Sequence, residues 1–167
     1  MTINLLHQTL AALVDADVRF VVCGGVACVL HGVARTTHDL DLRVALEGPD
    51  LVGLLAVARA LDLQPRVPEP MTALLDPERR RVWVEEKRAV VYTLHTRNGA
   101  FAVDVFLSYP LSYEELAAEA DVFEIEGRRV LVSSKRHLIR AKSSVQPPRR
   151  VDLRDIEDLE ELIRAQG

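Results

Sequence analysis

Apolar residues follow two rhythms along this chain, and each rhythm predicts an element. Residues 3–16 place Ile3, Leu6, Leu10, Leu13 and Val14 at helical spacing, with Gln8 and Asp15 elsewhere on the wheel, which predicts an amphipathic helix. Phe20-Val-Val-Cys23 is continuously apolar, as a central strand buried on both faces requires. Gly24-Gly25 ends it, and Val26 to Leu30 predicts a short apolar helix closed by His31-Gly32. Asp39 to Val44 alternates strictly: Asp39, Asp41 and Arg43 share one face of a strand, and Leu40, Leu42 and Val44 the other. Gly48-Pro49-Asp50 reads as a helix start, with Leu51, Leu54, Leu55, Val57, Ala58 and Leu61 as its apolar stripe. Prolines between Gln64 and Pro70 mark a loop, and residues 71–86 fit either a helix or an edge strand.

Residues 89–96 and 101–108 are β-rich runs joined through Asn98-Gly99, a strong hairpin signal. A turn or two of helix follows from Tyr113, then a second hairpin pairing residues 123–125 with 129–132 around Glu126-Gly127. Lys135 to Lys142 predicts a helix capped by Ser133 or Ser134. After Pro147-Pro148, residues 152–165 form a last helix with Leu153, Ile156, Leu159 and Ile163 on its apolar face. The expected fold class is α/β (α+β): a small mixed β-sheet with helices packed mainly on one side. The expectation is one domain over 1–167, with a C-terminal helical segment over 133–167.

Composition narrows the classes of function without choosing one. A chain of 167 residues, 49% hydrophobic and 28% charged, buries a sizeable core and is not a disordered composition. Its net charge of −4 gives no general attraction to nucleic acid or membrane. No signal pattern opens the chain and no apolar run reaches membrane-spanning length, so a cytoplasmic protein with no membrane partner is expected. Cys23 and Cys28 have no companions at zinc-site spacing and read as small buried thiols of a reducing compartment.

The chemistry concentrates in residues 19–42. Asp39 and Asp41 project from one face of a strand, so their like charges shift each other's pKa unless a cation lies between them. Mg²⁺ is a common resolution, since it takes carboxylate, water and phosphate oxygens. Gly24-Gly25 places amide N–H groups at a helix N-terminus, a natural seat for phosphate. Alone, Asp-x-Asp also fits a solvated edge strand. Asp104 adds a third carboxylate within the apolar run Phe101-Ala-Val-Asp-Val-Phe-Leu107, where Ala102 and Phe106 on its face cannot pair with it. Either that face is solvated, or Asp104 lies beside the first two carboxylates, because an unpaired buried carboxylate costs several kcal/mol.

In this order, Gly24-Gly25, Asp39-x-Asp41 and a distant apolar–Asp104–apolar strand resemble the nucleotidyltransferase superfamily related to DNA polymerase β. Gly24-Gly25-x-Ala27, His31-Gly32 and Arg35-x-Thr37-x-Asp39-Leu-Asp41 look like its AbiEii/MenT-type toxin branch and related bacterial proteins. Leu138-Ile-Arg-Ala-Lys142 followed by Arg150-Val-Asp152-Leu-Arg-Asp155-Ile is similar to a C-terminal segment of that branch. The resemblance implies transfer of a nucleoside monophosphate from an NTP to a hydroxyl acceptor with release of pyrophosphate. It implies that Asp39, Asp41 and Asp104 hold two Mg²⁺ or Mn²⁺ ions, with Asp104 helping to deprotonate the acceptor. Gly24 and Gly25 would bind the β- and γ-phosphates, and Lys142 would offset triphosphate charge. Arg35 and Thr37 either contact phosphate or brace the turn, and Asp152 and Asp155 read as structural partners of Lys142 or caps of the last helix.

The chain departs from the family pattern in places. Gly25 stands where many members carry serine, and His38 where the branch often has a basic residue. The acceptor suggested by the toxin-type branch is a tRNA end or a protein side chain, with an antitoxin as a possible partner. A small molecule of aminoglycoside type and a non-catalytic nucleotide- or partner-binding module are the alternatives. Residues 128–154 contain nine Lys or Arg against one acidic residue, Asp152, which suits either a polyanionic acceptor or a solvated helix face.

Overall fold

The computed structural model describes residues 2–167, and the side chains from Asn4 onward. The predicted core position of Ile3 lies outside the described side chains. The elements run α1 (Thr2–Asp15), β1 (Phe20–Cys23), α2 (Gly24–His31), β2 (Asp39–Val44), α3 (Gly48–Ala60), β3 (Gln64–Pro65), a 3₁₀ turn (Met71–Leu75), α4 (Pro77–Glu85), β4 (Val91–His95) and β5 (Ala102–Phe106). They continue with α5 (Tyr113–Ala118), β6 (Asp121–Ile125), β7 (Arg128–Val132), α6 (Lys135–Ser143) and α7 (Arg150–Gln166). No helix among the described residues is long and apolar enough to cross a membrane.

All seven strands form one mixed sheet in the order β3-β4-β5-β2-β1-β7-β6. The strands that carry the candidate chemistry are central. β2 runs antiparallel to β1 and parallel to β5, and β1 runs parallel to β7. The alternation read from β2 sorts the two faces. Leu40, Leu42 and Val44 are fully buried with Phe20, Val22, Val103 and Val105 in the main core under α1, α2, α3 and the C-terminal helices. Each such side chain contributes roughly 1.5–3 kcal/mol of burial. The opposite face carries a smaller cluster, Val21, Cys23, Leu111 and Leu116, fringed by Phe106, Tyr109 and Tyr113. Helices thus cover one face broadly, and α5 covers only part of the other.

Residues 71–86 resolve into the 3₁₀ turn and α4. Asp76 caps α4 by accepting from the Glu78 N–H at 2.9 Å, and Pro77 occupies the first turn, where its missing donor costs nothing. Trp83 is buried there and stacks on Tyr92 of β4 at 5.4 Å. The expected loop at 64–70 begins instead with a two-residue edge strand, β3, pairing Gln64 with His95 and Pro65 with Leu94. Proline is tolerated there because an edge strand needs hydrogen bonds on one side only. Both hairpins form as predicted, and Ser134 rather than Ser133 caps α6, accepting from the His137 N–H at 3.1 Å.

Candidate active site

The site begins where β1 becomes a helix without an intervening loop. Cys23 is the N-cap of α2, and Gly24 and Gly25 are its first two residues, two positions earlier than the apolar pattern implied. Gly24 has φ +61, a left-handed conformation that a side chain disfavours, and a Cβ there would fall on the Asp41 carboxylate, 2.7 Å from Cγ. Gly25 is crowded differently. A Cβ at this position would lie 2.8 Å from Thr37 Oγ1 and 3.1 Å from Arg35 Nη2. Two glycines are therefore what allow a carboxylate, a hydroxyl and a guanidinium to close on one helix N-terminus. Gly24→Ala is expected to lower the unfolding midpoint, on the order of 2 kcal/mol from backbone strain and displacement of Asp41. Thermal denaturation checks it.

Sheet register delivers the carboxylates. Asp41 and Asp104 are direct partners across the parallel β2–β5 pair, and Asp39, two residues before Asp41, pairs with Ala102 on the same face. Cys23 lies opposite Asp41 on β1. Burial raises the Cys23 thiol to about 12, so it is an inert floor for the site. Burial, then the charges of Asp104 and Asp39, push the Asp41 carboxyl up to about 7, while Lys142 and the Gly25 N–H pull it the other way. The Asp104 carboxyl is also raised by burial, opposed by a hydrogen bond from Thr93 Oγ1 to its Oδ1 at 2.5 Å.

Asp39, Asp41 and Asp104 have no ion-pair partner among the described residues. Nor does any group of three His, Cys, Asp or Glu among those residues meet the geometry of a metal site. Asp41 is instead turned toward the glycine pair, and Asp104 is tied to Thr93. The donor set suits a hard divalent cation all the same: three carboxylates on one sheet face, two of them raised in pKa by burial and crowding.

On the other side of the glycine pair stands a cationic network. Arg35 Nη1 donates to Asp155 Oδ2 at 2.5 Å. Lys142 Nζ lies 2.8 Å from Asp155 and 3.2 Å from Asp152, and Arg149 Nε donates to Asp152 at 2.6 Å. Asp152, Asp155 and Lys142 are buried, at 1%, 1% and 9% exposure. Burial opposes the Lys142 charge, but the hydrogen bond to Asp155 and the charges of both aspartates hold its pKa above the ordinary ammonium value. Lys142 therefore reaches the site as a braced charge rather than a free one. Arg149, which the sequence placed only in a basic stretch, belongs to the same network and senses the Asp41 charge. The Arg149-x-x-Asp152 spacing at a helix start was the available signal for it.

His31 is remote from this chemistry. Its Nε2 donates to the Ser133 carbonyl at 2.8 Å, and its ring packs edge-on against Phe123. Arg128 of the basic stretch pairs with Asp15 at 2.7 Å, whereas Arg129, Lys135, Arg136, Arg140, Arg150 and Arg154 make no ion pair among the described residues.

No family model and no curated protein matches this chain. Solved structures do match it in fold. The lincosamide antibiotic adenylyltransferase LnuA with lincomycin bound aligns at a TM-score of 0.61 and 14% identity, over 94% of this chain and 95% of that one. The antibiotic-resistance factor ANT(2'')-Ia in complex with adenylyl-2''-tobramycin aligns at 0.56 and 19% identity, over 97% and 94%. The solution structure of the same factor aligns at 0.56 and 20% identity, over 98% and 83%. With a central mixed sheet, helices mainly on one face and this agreement over nearly the whole chain, the protein has the nucleotidyltransferase fold.

Proposed function

We propose that this protein is a metal-dependent nucleotidyltransferase that moves a nucleoside monophosphate from an NTP to a hydroxyl acceptor. The observation that carries this reading is the row of Asp39, Asp41 and Asp104 on one face, beside the Gly24–Gly25 helix start. In the proposed reaction the acceptor oxygen bonds to the α-phosphorus, the bond to the β-phosphate bridging oxygen breaks, and pyrophosphate leaves. Asp104 takes the acceptor proton. The amides of Gly24 and Gly25 hold the β- and γ-phosphates. Arg35, Lys142 and Arg149 gather on the same side and offset phosphate charge, the main task in phosphoryl transfer, while the Thr37 hydroxyl beside Gly25 can donate a hydrogen bond to phosphate. Two Mg²⁺ or Mn²⁺ ions held by Asp39, Asp41 and Asp104 would supply charge neutralisation at the attacking and leaving oxygens.

For the acceptor we favour a small hydroxyl-bearing molecule over a macromolecule. Support comes from end-to-end agreement with two proteins whose structures contain lincomycin and adenylyl-2''-tobramycin. A tRNA end is the second reading, favoured by the six cations of the C-terminal stretch that make no ion pair among the described residues. A protein side chain as acceptor, an antitoxin partner and a cytoplasmic location rest on the sequence alone.

The test is incubation with each labelled NTP, Mg²⁺ or Mn²⁺, and either a panel of aminoglycosides and lincosamides or total tRNA. Label is expected on a small molecule and absent in Asp41→Ala. No transfer to any acceptor, or transfer that survives Asp41→Ala, sinks the enzyme reading. Label on tRNA alone replaces the favoured acceptor with the second one.

A further inference from the structure

Asp104 is the carboxylate that the proposed reaction asks to do most, and its setting differs from that of the other two. β5 lies between β2 and β4, so Asp104 has Asp41 as its register partner on one side and Thr93 on the other. Thr93 answers it with a hydroxyl: Oγ1 donates to Asp104 Oδ1 at 2.5 Å. A threonine hydroxyl on a strand has few staggered positions to choose from, because its β-branch restricts χ1. The partner strand is itself held, since the Thr93 carbonyl accepts from the Arg66 N–H at 3.0 Å. One oxygen of Asp104 is thereby committed on the side away from Asp41, and one is left for the site.

We propose that Thr93 is a positioning residue for the nucleotidyl-transfer site, fixing the Asp104 carboxylate so that a single oxygen is presented to a divalent cation and to the acceptor hydroxyl. The inference rests on the three-carboxylate reading given above. Without the tether the carboxylate rotates about its terminal torsion, which is broad and roughly two-fold, and presents either oxygen or neither. The hydroxyl acts through Asp104 and need not touch the nucleotide, so its loss affects cation binding and the chemical step rather than the grip on the triphosphate.

Thr93→Val keeps the β-branched shape and removes the donor; Thr93→Ser keeps the donor and removes a methyl group. Mn²⁺ alone is titrated into the nucleotide-free full-length protein by calorimetry. Thr93→Val is expected to bind Mn²⁺ about tenfold more weakly than the native protein, the usual scale for losing an oriented partner of a metal ligand, and Thr93→Ser to restore most of it. In the transfer assay kcat is expected to fall about tenfold in Thr93→Val, in line with a lost hydrogen bond to a charged group, while the KM for NTP stays put. An unchanged Mn²⁺ affinity in Thr93→Val, or a loss that Thr93→Ser fails to repair, overturns the inference while leaving the enzyme reading intact. A matching rise in KM with kcat preserved also counts against it. A native protein that binds no Mn²⁺ overturns the inference, while label transfer that is lost in Asp41→Ala keeps the enzyme reading standing.

Discussion

Asp41→Asn is expected to abolish transfer, by about a thousandfold or more, and to make the metal-free protein more stable at pH 8. In the proposed reaction Asp41 is a ligand of both metal ions, so its loss would remove the charge neutralisation on which phosphoryl transfer depends. The stability gain follows from the direction in which the Asp41 pKa moves. Its folded-state pKa stands at about 7, above the ordinary carboxylate value of 3.8. The folded protein therefore holds this proton more tightly than the unfolded chain does. The associated stability is fully present below pH 3.8 and is lost as pH rises through about 7. A tenfold difference in proton affinity is worth about 1.4 kcal/mol, so the native metal-free protein is expected to lose a few kcal/mol from this group across that window. Asparagine carries no such proton and flattens the slope. Urea denaturation at pH 5 and pH 8, with and without Mg²⁺, reads this directly. Mg²⁺ should restore the native protein at pH 8 and leave Asp41→Asn unmoved; equal slopes in the two proteins refute the account.

Asp155→Ala is expected to cost about 3 kcal/mol of stability, the lower end for breaking a buried ion pair, because Asp152 still faces Lys142. Asp155 is 1% exposed and is held by both Arg35 and Lys142, so truncating it leaves two cations short of a partner. Arg35 bears on Gly25 as well as on Asp155, and losing that brace is expected to raise the KM for NTP as well. Denaturation midpoints measure the first effect and steady-state kinetics the second. Asp155→Asn, which keeps an acceptor oxygen without the charge, should fall between native and alanine. A change below about 1 kcal/mol in Asp155→Ala would mean that Lys142 and Arg35 find other partners.

Much of this arrangement was legible in the chain, because its signals are local. Strict alternation in Asp39 to Val44 put two carboxylates on one face, and Asn98-Gly99 marked the β4–β5 turn. An aspartate with no apolar neighbour able to pair with it asked for a polar setting, and Asp104 has one between Asp41 and Thr93. What stayed hidden depends on pairing between distant strands. The parallel register that sets Asp41 opposite Asp104, and the antiparallel one that brings Thr93 alongside, leave no mark in either segment alone. Residues 71–86 were ambiguous because α4 is short and polar, with three consecutive arginines masking its periodicity, although Asp76-Pro77 was a helix start in plain sight. The spacing of Asp152 and Asp155 after Lys142 made them readable as its structural partners, and both pair with it; what the sequence did not show is that burial between them makes Lys142 a fixed charge.

The bond from Arg35 to Asp155 spans 120 positions of sequence. During synthesis the strands bearing all three carboxylates leave the ribosome well before α7 does. For that interval the nascent chain carries crowded acidic groups, and Arg35 stands at the glycine pair without its brace. Contacts so far apart in sequence form late, since their loop-closure entropy is met before they repay it. On the proposed reading, the phosphate end of the site is therefore completed only once α7 docks and Asp155 reaches Arg35.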